Sequence, residues 1–165
     1  MTLYLLLAPI SLLFNLFVIL TSPVWALIAA TFRLETLPGP LGWVHTHDNN
    51  IYGGGAPTRF KDRFMTALWW LVRNPGYGFD AYVLGFAGHE ITDQTKTQSG
   101  AFSTGQAAIR RDTMQLTGGR ERFSYRRDVP LGRGRYIKLW FGWHYQDQAG
   151  RRMLKFDINP FKRAN

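Results

Sequence analysis

The residues with the clearest potential for chemistry are His45, His47 and Asp48, within the run His-Thr-His-Asp. Side chains at i and i+2 of an extended segment point the same way, so both imidazoles could bind one divalent cation. A third ligand would have to come from elsewhere in the chain, and nothing in the spacing singles out His89, Glu90 or His144. Two polar loop histidines are the simpler interpretation. A membrane-bound, metal-dependent hydrolase is therefore kept as the enzymatic alternative.

Other catalytic patterns are lacking in the sequence. Gly53-Gly54-Gly55 is not followed by the Lys-Ser or Lys-Thr of a phosphate-binding loop. The sequence shows no setting for a Ser or Cys nucleophile and no telling pair of carboxylates. We therefore expect no cofactor and favour a non-enzymatic protein.

Three pairs of neighbouring arginines form the second constellation. Residues 1–100 carry six basic and six acidic residues, whereas residues 101–165 carry fourteen basic and five acidic ones, which is the whole net charge of +9. This basic half favours anionic lipid headgroups, nucleic acid or an acidic protein as partner. A solvated face of a small sheet is the plainer alternative. The candidate basic face consists of Arg110, Arg111, Arg126, Arg127, Arg151 and Arg152.

Aromatic residues between these pairs, such as Tyr136 and Trp140, add stacking to charge, which suits a membrane-tethered nucleic-acid binder. No known nucleic-acid-binding motif accompanies them.

An uncharged apolar segment precedes all of these residues. Thirteen of the eighteen residues at positions 3–20 are Leu, Ile, Phe or Val, and a helix of that length reaches about 27 Å, close to a hydrocarbon core. A cleaved signal peptide or a buried core helix fits less well, because no positive n-region precedes the run and the run is long. Thr21-Ser22-Pro23 interrupts it. Residues 24–32 either extend the helix or lie in the membrane interface.

Basic residues after this anchor predict its orientation. Positive residues stay inside, so we expect a single pass through a bacterial inner membrane, with the N-terminus outside and a cytoplasmic C-terminal domain. The residues expected to bind the membrane surface or an anionic partner are Arg33, Arg59, Lys61, Arg63 and Trp69.

The rest of the chain predicts an α+β fold with an antiparallel sheet and one amphipathic helix. We divide the whole sequence into an anchor at 1–32, a Pro/Gly-rich linker and loop at 33–57, and a basic domain at 58–165. Thr58 is the predicted cap of a helix that ends near Arg73, and this helix lies on the bilayer or packs on its own sheet. Residues 79–86 resemble a covered strand, and residues 94–105 are polar and flexible in character.

Two hairpins are predicted from alternation and turn residues. Gly118-Gly119 as a two-residue turn places Met114 opposite Phe123. In the second hairpin, a loop at 147–150 gives the cross-strand pairs Phe141–Phe156, Trp143–Leu154 and Leu139–Ile158, all on one apolar face. The residues predicted to point outward are Lys138, Trp140, His144, Arg151, Met153 and Lys155.

Several segments together resemble a family of small uncharacterised, membrane-anchored proteins of tailed bacteriophages and prophages. They are the apolar N-terminus with Pro9 and Asn15, residues 43–48, the run 73–78, the strand 140–143 and the closing residues 159–161. The resemblance implies a phage origin and an N-terminal membrane segment, and it implies no catalytic residue.

From this we expect a non-enzymatic phage accessory or virion-associated protein whose basic domain binds an anionic membrane surface or partner. As an alternative, the virion-associated protein is ejected with the genome. The expected partners are the lipid bilayer, DNA, other phage proteins and further copies in a homo-oligomer.

Overall fold

The α+β prediction is confirmed by the computed structural model, which describes residues 2–46, 49–52, 62–87, 91–100, 107–116, 120–146 and 151–163. A long helix, a short 3₁₀ helix and two short α-helices precede the strands. The helices are α1 (Thr2–Thr31), the 3₁₀ helix (Gly39–Val44), α2 (Arg63–Arg73) and α3 (Tyr77–Tyr82). The strands are β1 (Phe86–Ala87), β2 (Ile91–Ser99), β3 (Ala108–Leu116), β4 (Arg120–Gly132), β5 (Arg135–Gln146) and β6 (Arg151–Arg163).

The chain forms two compact units. The sheet unit comprises Met1–Ala8 and Gly85–Asn165, and the helical unit comprises Pro9–Leu84. All strand pairs are antiparallel, in the order β1-β6-β5-β4-β3-β2. Residues 58–84, which the sequence-based division joins to the sheet, are grouped with the helical unit.

Helix α1 runs without a break through the predicted interruption at residues 21–23. Pro23 has no N–H to donate to the carbonyl of Ile19, four residues earlier. The Ser22 hydroxyl donates to that carbonyl instead, at 2.7 Å. This bond satisfies the carbonyl that Pro23 cannot pair with, and the helix extends to Thr31. Of the two alternatives for residues 24–32, the structure therefore shows the extension of the helix.

Helix α2 begins later than predicted. The Asp62 carboxylate accepts a hydrogen bond from the Met65 N–H at 2.7 Å, and the helix starts at Arg63. An Asp at this position both accepts an orphan N–H and places negative charge at the positive end of the helix dipole. The predicted start was therefore wrong, and Thr58 itself lies outside the described residues.

Helix α2 packs within the helical unit. Its buried residues Ala67 and Leu71 belong to one apolar cluster with Val18, Ala26 and Ala29 of α1. The apolar stripe of α2, for which the sequence left the bilayer and the sheet open as alternatives, therefore packs against α1.

Two segments have a different secondary structure from the one predicted. Residues 79–86 were predicted as a strand, but residues 77–82 form α3, since a short apolar run fits a buried helix equally well. Residues 94–99, predicted to be flexible, belong to β2. Polar side chains allow a strand here because β2 is an edge strand of the sheet.

The two predicted hairpins fared differently. The pairs Phe141–Phe156, Trp143–Leu154 and Leu139–Ile158 are confirmed. The register of the first hairpin was wrong by one residue, because Met114 pairs with Arg122. The predicted Gly118-Gly119 turn lies outside the described residues, but Leu116 pairs with Arg120, and a shift of one residue changes every cross-strand partner.

Candidate membrane-binding surfaces

The first candidate surface is the exposed side of α1, which we call its uncovered side. Its buried residues recur every three or four positions and are mostly small or polar: Tyr4, Ala8, Ser11, Asn15, Val18, Ser22, Ala26 and Ala29. Its exposed large side chains are all apolar: Leu3, Leu5, Leu6, Ile10, Leu12, Leu13, Leu16, Phe17, Leu20, Val24 and Leu27. A water-soluble helix shows the reverse arrangement. Small and polar residues inside with leucines outside are typical of helices in lipid.

The uncovered side of α1 carries many apolar side chains. Eleven exposed aliphatic or aromatic side chains lie on this one helix, and large exposed apolar patches are typical of sites that contact a membrane or another protein. By length and composition α1 can cross a membrane.

Polar contacts line the covered side of α1. The Ser11 hydroxyl donates to the Asp80 carboxylate at 2.7 Å, and the Asn15 amide donates to the Ser11 oxygen at 3.5 Å. The backbone of Gly76 packs against the Asn15 side chain, and a Cβ at this position would overlap the Asn15 side-chain oxygen. Gly76 also has a left-handed φ of +64°. Asp80 and Ser11 are both fully buried, so this bond pairs polar groups that are removed from solvent.

The segment from α2 to α3 runs antiparallel to α1. Leu71 shares an apolar cluster with Val18 and Ala26, Gly76 touches Asn15, and Asp80 bonds Ser11. Later residues therefore meet earlier positions of α1. The helical unit is thus a helical hairpin, in which the segment from α2 to α3 returns along the covered side of α1.

The sheet has a charged face and an aromatic face. The charged face carries Arg110, Asp112, Ser124, Arg126, Asp128, Lys138, Trp140, Lys155 and Asp157. The aromatic face carries Arg111, Phe123, Tyr125, Arg127, Leu139, Phe141, Trp143, Leu154, Phe156 and Ile158. Strand alternation and the observed register assign each residue to its face.

Ion pairs neutralise most of the charged face. Lys138 and Asp157 form a salt bridge in which both side chains are less than 10% exposed. The Arg126 guanidinium binds both oxygens of Asp128, at 3.1 and 2.8 Å, and this bidentate geometry is among the stronger kinds of ion pair. Arg110 binds Asp112 at 3.0 Å.

Trp140 lies at the centre of the charged face. The ammonium groups of Lys138 and Lys155 are 5.1 and 4.9 Å from the centroid of its ring, within cation–π range. Its indole N–H donates to the Ser124 hydroxyl at 2.8 Å. Lys155 is only 2% exposed. The predicted outward orientation of Lys138, Met153 and Lys155 was wrong in that these side chains are buried.

The aromatic face is covered at one end and open at the other. Tyr4 of α1 packs edge-on against Phe123 and Trp143, with ring centroids 5.4 and 6.0 Å away, and its hydroxyl donates to the Lys155 carbonyl at 2.8 Å. Farther along the strands, Phe141 is only partly buried and Ile158 is 56% exposed. Ile158, predicted to share one apolar face with Leu154 and Phe156, therefore lies at the open end of that face.

The predicted basic face is divided between the two faces. Arg110 and Arg126 lie on the charged face with their carboxylates, whereas Arg111 and Arg127 are exposed on the aromatic face. Arg152 is buried, with its guanidinium carbon 4.2 Å from the centroid of the Trp143 ring. The side chain of Arg151 is outside the described part of the structure.

The residues predicted to bind the membrane surface are partly visible. Arg33 is exposed directly after α1, and Arg63 is exposed at the start of α2, 5.3 Å from the Tyr52 ring. Tyr52 in turn donates to the carbonyl of Ala29 at 2.9 Å, which ties Arg63 to the last turns of α1. Trp69 is partly buried in α2. Arg59 and Lys61 lie outside the described residues.

Of the three candidate metal ligands, only His45 lies in the described part of the structure. His45 is buried, and its Nε2 accepts a hydrogen bond from the Leu37 N–H at 3.3 Å, which gives this imidazole a structural role in the loop. His47 and Asp48 lie outside the described residues. Among those that are described, no group of three His, Cys, Asp or Glu is placed to hold a metal ion.

Comparison with known protein families gives a match over the whole given sequence. A family model with the description "Family of unknown function (DUF7338)" covers residues 1–165. The chain belongs to this family. No curated protein and no solved structure matches the chain. The DUF7338 family assignment therefore adds no activity to what the geometry indicates.

Proposed function

We propose that this DUF7338 protein is a non-enzymatic, membrane-anchored accessory protein that the helical unit holds in a bilayer. The observation that carries the proposal is the reversed pattern of α1, whose Ser and Asn side chains face the protein while Leu, Ile and Phe are uncovered. Transfer of apolar surface from water into lipid is favourable by about 25 cal/mol per Å². An uncharged helix with eleven such exposed side chains has a strong preference for lipid.

The contacts of Tyr4 do not favour a single pass, in which the N-terminus and the C-terminal domain lie on opposite sides of the membrane. They favour a topology in which both lie on the same side. Tyr4 is held on the sheet by two aromatic contacts and one hydrogen bond, all within the sheet unit. We therefore propose that the start of α1 and the sheet lie on the same side of the membrane. The return of residues 62–84 along α1 supports this arrangement, because a hairpin can enter the bilayer and leave it on the same side.

Single-cysteine labelling tests this topology, because the chain has no Cys of its own. We would compare Thr2→Cys with Arg135→Cys, an exposed position on β5, using a membrane-impermeant maleimide on intact cells and on inverted vesicles. The hairpin predicts that both sites react in the same preparation. If one site reacts only in intact cells and the other only in inverted vesicles, the result would support the single pass and contradict the same-side topology. It would not contradict membrane anchoring.

The accessory role is proposed from the lack of a catalytic constellation in the sequence and from the resemblance to phage proteins. Quantitative mass spectrometry of purified virions and of infected-cell membranes would test it. A fixed copy number per virion would support a virion-associated protein, and detection in membranes alone would support an infection-stage role. Enzymatic turnover that depends on a metal, lost in His47→Ala, would overturn the non-enzymatic proposal.

A further inference from the structure

We infer that the aromatic face of the sheet is a second membrane-contact surface, which takes anionic phospholipid headgroups. This inference rests on the proposed function, since it needs the protein to be at a bilayer. It goes further by naming the sheet residues that contact lipid and the charge of the lipid they select.

The aromatic face continues the apolar surface of α1 within one unit. Tyr4 covers Phe123 and Trp143 at one end of this face. Beside Tyr4 on the helix, Leu3 and Leu5 are exposed. A bilayer that covers the first turns of α1 is therefore adjacent to the aromatic face.

The open part of the face has the composition of a membrane interface. The directly paired residues Tyr125, Phe141 and Phe156 form a row across three neighbouring strands, and all are only partly buried. In a sheet whose apolar face covers a core, such central aromatic residues are normally buried and charges face water. Here several charged residues are buried on the opposite face and Ile158 is exposed. Aromatic side chains are enriched where proteins meet the headgroup region.

Two arginines give this face its charge. Arg111 and Arg127 are exposed, and Arg111 lies 5.9 Å from the Tyr125 ring centroid. Neither forms an ion pair with any residue that the structure describes, whereas their neighbours Arg110 and Arg126 each bind a carboxylate. The positive charge that remains on this face is complementary to a phosphate-bearing, anionic headgroup.

The test uses full-length protein in lipid nanodiscs, with a fluorophore on Ile158→Cys as the reporter. Ile158 is 56% exposed, so a label at this position is accessible to lipid. Nanodiscs of phosphatidylcholine are compared with nanodiscs that contain a quarter phosphatidylglycerol, both doped with a quencher-bearing lipid. We expect quenching that increases with phosphatidylglycerol. Arg111→Gln/Arg127→Gln should lower the ratio of docked to undocked sheet on the order of thirtyfold, because each basic residue near an anionic surface contributes about 1 kcal/mol.

The matched control is Lys96→Gln, which removes an exposed positive charge on β2 at a register position opposite Asp112 of the charged face. It should leave the quenching unchanged, and an equal loss in this variant would overturn the inference. A second label at Leu16→Cys reports the insertion of α1 alone.

Two further outcomes are decisive. Quenching at Leu16→Cys without quenching at Ile158→Cys would overturn the second surface while leaving the anchored protein intact, and quenching at neither site would contradict both. Binding of a single-stranded oligonucleotide that needs Arg111 and Arg127, with no lipid quenching at residue 158, would assign the face to nucleic acid instead.

Discussion

Replacement of Leu13 and Leu20 by Lys separates a membrane helix from a helix that is only part of a soluble fold. These side chains are 67% and 81% exposed, so neither fills the core of the protein. If water surrounded α1, two such substitutions would change the free energy of unfolding by no more than about 0.5 kcal/mol each.

In a bilayer the same substitutions are costly. A Lys near the centre of a membrane helix costs about 2.5–3.5 kcal/mol, and each lost Leu removes a further contribution of roughly 0.3–0.6 kcal/mol. The double variant should therefore lose about 6 kcal/mol of insertion free energy, on the order of 10⁴-fold in partitioning. Thr31→Lys is the matched control, because Thr31 is exposed at the end of α1, from where a Lys can reach the interface.

Flotation of the purified proteins with liposomes on a density gradient measures this partitioning, and circular dichroism in detergent checks that each variant is folded. Wild type and Thr31→Lys should float with the lipid, and a large part of the double variant should stay at the bottom. Complete flotation of a folded double variant would refute the assignment of this side of α1 to lipid.

Three further substitutions test the internal contacts, each by thermal unfolding in detergent. Ser22→Ala should destabilise the protein by about 1 kcal/mol because the Ile19 carbonyl loses its donor, and an increase in stability, as expected from helix propensity alone, would show that the bond is not needed. Asp157→Asn should cost about 3–5 kcal/mol because Lys138 is left as a buried charge, and a neutral result would contradict the buried pair. Gly76→Ala should cost more than about 1 kcal/mol, since its φ of +64° is unfavourable for Ala.

The elements predicted best from sequence are those in which pattern and length agree. The uncharged run at positions 3–20 indicated α1, and the alternation of β5 and β6 with a short loop gave the observed register. The continuation of α1 past Pro23 could not be read from helix propensity, because it depends on the Ser22 side chain bonding one specific carbonyl.

The faces of the sheet were harder to predict. Alternation separates Lys138 and Lys155 from Phe141 and Ile158, but it does not tell which set is covered. In this fold the buried lysines are stabilised by Asp157 and by the Trp140 ring, contacts between β5 and β6 that a single strand does not reveal.

Short elements were missed for local reasons. Residues 77–82 are apolar enough for a strand, yet the backbone N–H of Asp80 bonds the Gly76 carbonyl at 3.1 Å and its carboxylate accepts from Ser11, which places the segment as a helix against α1. The predicted register of the first hairpin assumed a two-residue turn at Gly118-Gly119, and it is wrong by one residue because Leu116 pairs with Arg120.

Extraction of wild-type membranes with alkaline carbonate is the most direct test of anchoring through α1. This treatment strips proteins that are held by charge and leaves those held by apolar insertion. We predict that the protein stays in the membrane pellet after carbonate and is released by detergent. Release by carbonate alone would mean that the basic residues hold the protein at the surface, and it would contradict the insertion of α1.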